Sequence, residues 1–406
     1  MADRDLDLIV YGATGFTGKL VAAYLQGRAA GSDLRWGLAG RSKDKLQQVA
    51  ADIGAPDLPL VVADSSDPDS LAAMAESTRV VCTTVGPYAS FGTPVVEACV
   101  DAGTDYCDLT GEIQWIRRMI DTHQETAERT GARIVHTCGF DSIPSDLGVM
   151  YAQQQMQQRH GVPASRVEFR MKAFRGSPSG GTIASLMNVM DEAARDKAVR
   201  AIIADPYSLN PEGDRRGPDR NDAVLPSRDP AFGQWSGAFV MAALNTRVVR
   251  RTNALLGHPY GRDFRYDEKM LMGSGPLGAV KAAGLTAALG GGMAALAVGP
   301  IRKLVARVVP KAGAGPSPEA QRKGFFDIRL HAEHPTDPTK NLMVKVHGDR
   351  DPGYGSTSKM LGEAALCLAE GESTVGGGHW TPASALGQPL LDRLQSHAGV
   401  TFQVLD

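Results

Sequence analysis

The sequence predicts an α/β protein with a doubly wound parallel sheet in its first 150 residues and a second, mixed α/β domain behind it. Two observations carry this prediction. Short β-branched runs alternate with helical stretches throughout the first part, which is the pattern of parallel strands joined by crossover helices. A glycine-rich turn over residues 12–18 follows the first strand directly and opens the first helix.

The elements of the first part alternate strictly. Predicted strands cover 6–11, 34–39, 60–63, 79–85, 104–108 and 133–137. Predicted helices cover 17–29, a stretch from 44, a stretch from 68, then 94–102, 114–130 and one that begins near Pro144. Because a helix separates each strand from the next, all six strands can run parallel. Together with the glycine-rich turn at 12–18, this alternation predicts that residues 1–148 form a dinucleotide-binding (Rossmann) domain.

Beyond about residue 150 the order of elements changes. We expect a strand at 167–174, a helix at 182–200, a polar loop or lid at 205–228, a hairpin of strands at 325–333 and 341–347, and a helix at 356–370. Residues 149–378 are therefore predicted to be an α/β substrate and dimerisation domain. In the tail, 379–406, a last helix opens with Thr381 as N-cap and Pro382 as its first residue.

Composition excludes several classes of protein. Among 406 residues, 43 Lys and Arg face 45 Asp and Glu, so no basic surface for nucleic acid is expected. The five cysteines are odd in number and contain no C-x-x-C pair, which argues against a disulfide framework and a zinc cluster. The charged N-terminus does not resemble a secretory signal. We therefore expect a reducing compartment and a cytoplasmic protein.

Residues 282–301 form an uncharged apolar segment between Lys281 and Arg302. Twenty residues are long enough to span a bilayer, but the segment is rich in Ala and Gly, so its apolar transfer energy is weak. Three interpretations stay open: a buried or inter-subunit helix, which we favour, an interfacial or acyl-binding element, and a membrane span. Unless it is buried within the chain, we expect this segment to take part either in a homodimer interface or in a peripheral membrane contact.

The glycine-rich turn predicts a dinucleotide site. Glycines allow the backbone to turn tightly and to approach a pyrophosphate, while the first N–H groups of the helix face the phosphates. The predicted contacts are Gly12, Thr14, Gly15, Phe16, Thr17 and Gly18. A glycine-rich turn without a ligand is the alternative, and the position between a strand and a helix argues against it.

The end of the second strand selects the dinucleotide. An NAD site usually has Asp or Glu here for the ribose 2′-hydroxyl, whereas this sequence has Arg41 and Ser42. A guanidinium and a hydroxyl suit a 2′-phosphate, so NADP(H) is predicted. Arg41 as a solvated loop cation is the alternative. Asp64, after the third strand, is predicted to accept from the adenine amine or to cap a helix.

Two further strand ends predict the nicotinamide site. Gly86, Pro87 and Tyr88 follow the fourth strand, and the run from Cys138 to Ser142 follows the sixth. Carboxyl ends of parallel strands are where ligands bind in such sheets. A capped turn into the helix near Pro144, with Asp141 or Ser142 as the cap, is the alternative interpretation of the second run. We expect the Cys138 thiol to be a small buried group rather than a reactive one.

The absence of several catalytic motifs excludes other classes of reaction. The nine histidines contain no H-x-x-x-H or H-E-x-x-H pair, so no metal site is predicted. The first domain contains neither a G-x-S-x-G elbow nor the Tyr-x-x-x-Lys pair of short-chain dehydrogenases. Hydride transfer remains as the reaction class.

The motifs together resemble the saccharopine dehydrogenase-like oxidoreductases, nearly from end to end. The resemblance rests on residues 11–18, 39–41, 85–88, 103–112, 139–146, 179–182 and 381–383. Within that family the sequence most resembles the bacterial trans-acting enoyl reductases. The resemblance implies a Rossmann domain, an inserted α/β domain and a C-terminal helix that returns to the first domain.

The resemblance also implies an activity: NADPH-dependent reduction of an α,β-unsaturated acyl thioester, beside a polyketide synthase that carries the long acyl chain on its carrier domain, in lipid biosynthesis. Tyr88 would be the acid or orienting donor, with backbone N–H groups near Gly86 or Gly139 for the enolate oxygen. Asp141 and Ser142 would shape the nicotinamide pocket, and the segment from Ala282 would guide the acyl chain.

Two other hypotheses stay open. The first is an imine or amino-acid dehydrogenase of the saccharopine type, which would need cationic side chains for several carboxylates. The arginines at 215, 216, 220 and 228 lie in the polar stretch rather than at the predicted site. The second is a non-catalytic NADPH-binding protein that associates with lipid or acts as a scaffold, which the lack of an unmistakable proton donor favours.

Overall fold

The computed structural model describes residues 4–176, 180–220, 222, 225–297 and 315–405. Its strands, in chain order, are β1 Leu8–Tyr11, β2 Trp36–Gly40, β3 Leu60–Val62, β4 Val80–Thr83, β5 Asp105–Cys107, β6 Arg133–Val135, β7 Arg166–Arg175, β8 Ser227–Asp229, β9 Gln234–Ala238, β10 Arg265–Gly273, β11 Phe325–Glu333, β12 Leu342–Gly348, β13 Gly378–Trp380 and β14 Val400–Leu405.

The helices pack on these strands. They are Phe16–Ala29, Lys43–Asp52, Pro68–Ser77, Tyr88–Phe91, Thr93–Ala102, Ile113–Thr130, Ile143–His160, Gly180–Arg195, Lys197–Ala204, Ala242–Leu255, Gly275–Ala297, Pro318–Arg322, Thr357–Ala369 and Pro382–Arg393. Each helix predicted in the first part of the sequence is present, with bounds within a residue or two of those expected.

The first sheet has the strand order β13-β6-β5-β4-β1-β2-β3 and is parallel throughout. Leu8–Tyr11 is buried along its whole length, as a strand with helices on both faces must be. The chain reverses its direction of winding between β1 and β4, so the crevice at their carboxyl ends is where a ligand is expected. The predicted α/β fold with a doubly wound parallel sheet is confirmed.

The second sheet has the order β14-β12-β11-β7-β10-β9-β8 and is mixed. β7 pairs parallel with β10 and antiparallel with β11, and β11 forms the predicted hairpin with β12. Along β11 buried and half-buried residues alternate, because one face of the sheet packs on the core and the other is closer to solvent. The predicted second, mixed α/β part of the fold is confirmed.

Several expectations for the second half were wrong in detail. The stretch 182–200 is not one helix, because Asp196 caps a new helix by accepting from the Ala198 N–H at 2.7 Å. The described residues of the polar stretch 205–228 end in an edge strand, β8. Strands β9 and β10 and the Ala242–Leu255 helix between them were not predicted from the sequence.

The tail contributes to both sheets. Thr381 caps the last helix through a reciprocal pair of bonds with Ser384, and Pro382 is its first residue, as predicted. β13 adds a seventh strand to the first sheet by pairing with β6. The tail also contains β14, which was not predicted and which pairs with β12 in the second sheet.

The apolar segment forms most of the Gly275–Ala297 helix, which packs against the second sheet; residues 298–301 lie outside the described part. Ala282 is fully buried against Gly237 of β9, whereas the side chains of Leu277 and Val280 are exposed. Among the described helices none is both long and apolar enough to cross a membrane. The predicted membrane contact and homodimer stay predictions.

Candidate cofactor and active site

The glycine-rich turn forms a cradle at the carboxyl end of β1. Gly12 has φ +85°, and a Cβ on it would lie 2.7 Å from Val85, which follows β4. A Cβ on Gly18 would lie 2.2 Å from the Gly12 carbonyl oxygen, so helix and turn pack too closely for a side chain. Gly15 is the N-cap of the Phe16–Ala29 helix and offers no side-chain cap to its first N–H groups. These are the features that a pyrophosphate requires.

Arg41 and Asp64 lie together beyond the ends of β2 and β3. Arg41 is exposed, and its positive charge contributes to a lowered Asp64 pKa, although hydrogen bonds from Ser66 are the main cause. The Asp64 carboxylate accepts from the Ser66 N–H at 2.9 Å and thereby caps a turn. Asp67, not Asp64, caps the following helix. The predicted adenine contact of Asp64 stays a prediction.

Ser42 is the N-cap of the Lys43–Asp52 helix, and its hydroxyl accepts from the Lys45 N–H at 3.4 Å. Thr14 lies against the same strand end, since its methyl group is 3.9 Å from where a Cβ on Gly40 would lie. The structure thus brings the pyrophosphate turn and the predicted 2′-phosphate residues to one edge of the sheet.

Tyr88 is buried beside the loop that follows β4. Its hydroxyl donates to the Thr83 carbonyl oxygen at 3.3 Å and accepts from the Leu109 N–H at 3.1 Å. Burial raises the pKa of this phenol well above its usual value. Gly86 and Pro87 precede it at the crevice, but the hydroxyl itself ties two strand ends together. The sequence-based prediction of Tyr88 as proton donor does not follow from this position.

The sequence analysis did not single out Glu112, a carboxylate beside the start of the Tyr88–Phe91 helix. This residue has no exposed surface, and its carboxylate accepts from the N–H groups of Tyr88, at 2.7 Å, and Ala89, at 3.0 Å. It also accepts from the Ser185 hydroxyl at 2.7 Å. The block 103–112 that carried the resemblance ends on this residue, which was the available signal.

A second buried carboxylate, Asp108, was missed as well. One of its oxygens lies 2.7 Å from His136 Nδ1, and the other accepts from the Thr137 N–H at 2.9 Å. His136 Nε2 is in turn 3.2 Å from His379 Nδ1, so the seventh strand completes a buried chain of three side chains. Burial and the neighbouring His136 hold the pKa of His379 well below its usual value. Thr137, whose N–H donates to Asp108, has φ +65°, a strained backbone conformation for a β-branched residue.

Asp141 is a half-buried carboxyl in the same loop, and one of its oxygens lies 3.5 Å from where a Cβ on Gly139 would be. Burial, followed by the charge of Asp108, raises its pKa to about 7. A carboxyl that is protonated near neutral pH at the carboxyl end of a strand can donate a proton. Among the catalytic residues predicted from the sequence, Asp141 is the one whose pKa lies near neutral pH.

The side chains of Ser142 and Cys138 are both buried. The Ser142 hydroxyl donates to the Asn245 side chain at 3.0 Å, and Asn245 donates to Glu268 at 3.0 Å, so Ser142 belongs to a buried network that reaches β10. Cys138 is fully buried, and burial raises the pKa of its thiol well above the usual value. The expectation of a small buried thiol agrees with this position, and the predicted cofactor contact stays a prediction.

One cluster of possible metal ligands occurs in the described residues, on the second sheet: Glu168, His331 and Glu333. Glu168 already accepts from Arg170 at 3.0 Å and faces His331 Nδ1 at 3.2 Å. The other ring nitrogen of His331 lies 3.2 Å from the Asn341 amide nitrogen. The site described above does not include this cluster.

Comparison with known proteins agrees with this geometry. Residues 8–135 match the family model described as the saccharopine dehydrogenase NADP binding domain. The glycine cradle and the exposed Arg41 fit NADP(H). The turn would hold its pyrophosphate and Arg41 its 2′-phosphate, and NADP(H) is the cofactor of this domain.

The relatives extend over the whole chain. A Mycobacterium tuberculosis protein assigned to the trans-acting enoyl reductases is 42% identical over 98% of this chain and 97% of its own length. Trans-acting enoyl reductases of Mycobacterium bovis, with 99% and 98% covered, and Mycobacterium leprae, with 98% and 97%, are each 39% identical.

Two solved structures share the fold. Saccharopine dehydrogenase (L-Glu forming) from Saccharomyces cerevisiae has a TM-score of 0.54 at 12% identity, covering 98% of this chain and 99% of its own. The homospermidine synthase of Legionella pneumophila has a TM-score of 0.51 at 10% identity, covering 100% and 92%.

Fold, cradle and relatives define an NADP(H)-dependent oxidoreductase with a saccharopine dehydrogenase-like fold. Within that class the chain belongs to the family of the trans-acting enoyl reductases.

Proposed function

We propose that this protein reduces the carbon–carbon double bond of an α,β-unsaturated acyl thioester with NADPH, in trans to a polyketide synthase. The observation that carries the proposal is the full-length identity of about 40% to trans-acting enoyl reductases. The Asp141 carboxyl, with its pKa raised to about 7, supports it, because the reaction consumes a proton near neutral pH.

NADPH supplies a hydride when it is bound in the cleft. Reduction of the conjugated double bond places that hydride on the β-carbon and leaves an enolate, which then takes a proton at the α-carbon. Asp141 is the group that we assign as proton donor, since its raised pKa keeps it protonated up to about pH 7. The backbone N–H groups of Gly86, after β4, and Gly139, after β6, are the donors that we assign to the enolate oxygen.

Tyr88 takes a different role in this proposal from the one that the sequence predicted. Its hydroxyl joins the Thr83 carbonyl to the Leu109 N–H, and its ring lies 5.5 Å from the Trp115 ring. A phenol held in this way orients the Gly86–Pro87 turn rather than transferring a proton. Tyr88 is therefore a positioning residue.

The substrate class follows from the relatives' names and from the chain's own resemblance. We propose a long-chain 2-enoyl thioester carried by a polyketide synthase carrier domain, within lipid biosynthesis. The Gly275–Ala297 helix, whose outer face includes the exposed Leu277 and Val280, is the element that we assign to contact the acyl chain.

The test is to follow NADPH absorbance with the purified full chain and a long-chain 2-enoyl pantetheine thioester. We expect oxidation of NADPH, dependent on the thioester, and little oxidation of NADH. The saturated thioester is the matched control and should give no oxidation. Turnover with a 2-oxo acid and ammonia, but not with the enoyl thioester, would contradict the proposal in favour of an amino-acid dehydrogenase.

A further inference from the structure

The Gly180–Arg195 helix of the second domain lies across the first domain at the cofactor cleft. At its start, the Gly180 N–H donates to the Tyr354 hydroxyl at 3.0 Å, and the Tyr354 ring packs 4.8 Å from the Phe16 ring of the pyrophosphate turn. At its end, Glu192 forms an ion pair with Arg118 at 3.0 Å. The helix therefore runs from the pyrophosphate turn to the Ile113–Thr130 helix.

Between these two ends the helix meets Glu112. Ser185 and Glu192 are seven residues apart, which is about two helical turns, so they share one face. The Ser185 hydroxyl donates to Glu112 Oε1, the same oxygen that accepts from the Tyr88 N–H, and both distances are 2.7 Å. One carboxylate oxygen thus joins the second-domain helix to the loop that follows β4.

The environment of Glu112 shows that these bonds matter to the fold of the site. A buried carboxylate is costly unless hydrogen bonds satisfy it. The three donors given above are two N–H groups at the start of the Tyr88–Phe91 helix and one hydroxyl. If the Gly180–Arg195 helix shifts, Glu112 loses one of the three, and the loop at the nicotinamide loses part of its anchor.

We propose that Glu112 is a positioning residue: it fixes the Tyr88–Phe91 helix beside the nicotinamide and, through Ser185, docks the Gly180–Arg195 helix over the cofactor cleft. The proposal rests on the proposed function for its effect on turnover, but not for the contacts themselves. In this proposal the second domain contacts the hydride-transfer site through the hydrogen bond from Ser185 to Glu112.

The first test needs neither cofactor nor substrate. Amide hydrogen exchange of residues 85–92 is compared in the full-length wild type, Glu112→Gln and Ser185→Ala. Glutamine keeps one acceptor oxygen and presents an NH₂ group to a former donor, so we expect exchange in this segment to be about tenfold faster. Ser185→Ala removes only the hydrogen bond from Ser185 to Glu112 and should give a smaller increase in the exchange rate of residues 85–92.

Arg118→Gln is the matched control, because it breaks the ion pair between Arg118 and Glu192, a polar contact of the same helix that does not involve Glu112. It should leave exchange at 85–92 at the wild-type rate. Wild-type exchange in both Glu112→Gln and Ser185→Ala would overturn the proposal. If Glu112→Gln does not fold, Ser185→Ala against Arg118→Gln decides alone.

The second test uses turnover with NADPH deuterated at the transferred position. A mispositioned loop slows hydride transfer itself, so Glu112→Gln should lower kcat about tenfold and increase the isotope effect, with NADPH affinity changed less than about threefold. A fall in kcat at an unchanged isotope effect would reduce Glu112 to a structural role. Absence of wild-type turnover would refute the proposed function, whereas the exchange experiment would still judge Glu112.

Discussion

The two ends of the cofactor cleft are built in opposite ways. At the adenosine end, Arg41 is exposed and the Asp64 carboxylate is bound by Ser66, only two residues away. At the nicotinamide end, Glu112 binds Tyr88 across 24 residues and His136 meets His379 across 243. The first end is local and solvated, whereas the second is buried and assembled from distant segments.

This difference determines how each end responds to change. A solvated side chain contributes its own contact with the ligand and little to the fold, so its loss should affect binding alone. A buried polar group supports its neighbours, and its loss should affect both chemistry and stability. The predictions below test whether this division holds.

The largest effect is expected from Asp141→Asn. An amide of nearly the same shape cannot donate a proton from a carboxyl group, so kcat should fall by about a hundredfold or more. NADPH affinity should change little. Turnover is measured at pH 6, 7 and 8 beside cofactor binding; an unchanged kcat would remove Asp141 as the donor.

The pH dependence has a defined sign. In the wild type the protonated form is active, so activity should fall as the pH rises through about 7. The same raised pKa costs folding stability as the pH rises from about 4 to 7, and Asp141→Asn should regain that stability at pH 8 but not below pH 4. Asp146→Asn is the matched control, since burial raises the Asp146 pKa to about 7 while Thr252 and the Ala383 N–H bind its carboxylate. It should leave the pH profile of activity unchanged.

The contrast also explains how much could be predicted from the sequence. The parallel sheet and the glycine cradle were predictable, because strand-turn-helix signals are local and the turn needs glycine at fixed spacing. Arg41 was predictable for the same reason, because it follows a strand at a known distance. The choice of Asp141 as a site residue also came from its place at a strand end.

The residues and elements that could not be predicted from the sequence depend on contacts between distant segments. Glu112 becomes recognisable only when Ser185 of the Gly180–Arg195 helix binds it. Asp108 becomes recognisable only when His379 of the tail extends its contact with His136. The Ala242–Leu255 helix was missed because it is buried although polar. Arg247 and Arg251 bury their guanidinium groups by donating to backbone carbonyls, so no amphipathic pattern marks the helix.

A smaller, more selective effect is expected from Arg41→Ala at the adenosine end. Loss of a charge-assisted contact with the 2′-phosphate should weaken NADPH binding by about 10- to 100-fold, while NADH binding and the melting temperature stay nearly constant. Fluorescence titration with both nucleotides measures the ratio. Arg35→Ala, which removes an exposed arginine paired with Asp7, is the control. Equal weakening of NADPH and NADH would show that Arg41 does not recognise the phosphate.

The smallest effect on turnover, and the clearest test of the division between the two ends, is expected from Tyr88→Phe. The phenol oxygen accepts from the buried Leu109 N–H and donates to the Thr83 carbonyl, so its removal should cost about 1–3 kcal/mol of folding stability. Because the hydroxyl faces backbone groups, kcat should stay within about threefold of wild type. Thermal unfolding and kcat are measured on the same preparation. A wild-type melting temperature with turnover reduced a hundredfold would return Tyr88 to the role of proton donor and would show that a buried group at the nicotinamide end can act on the substrate without supporting the fold.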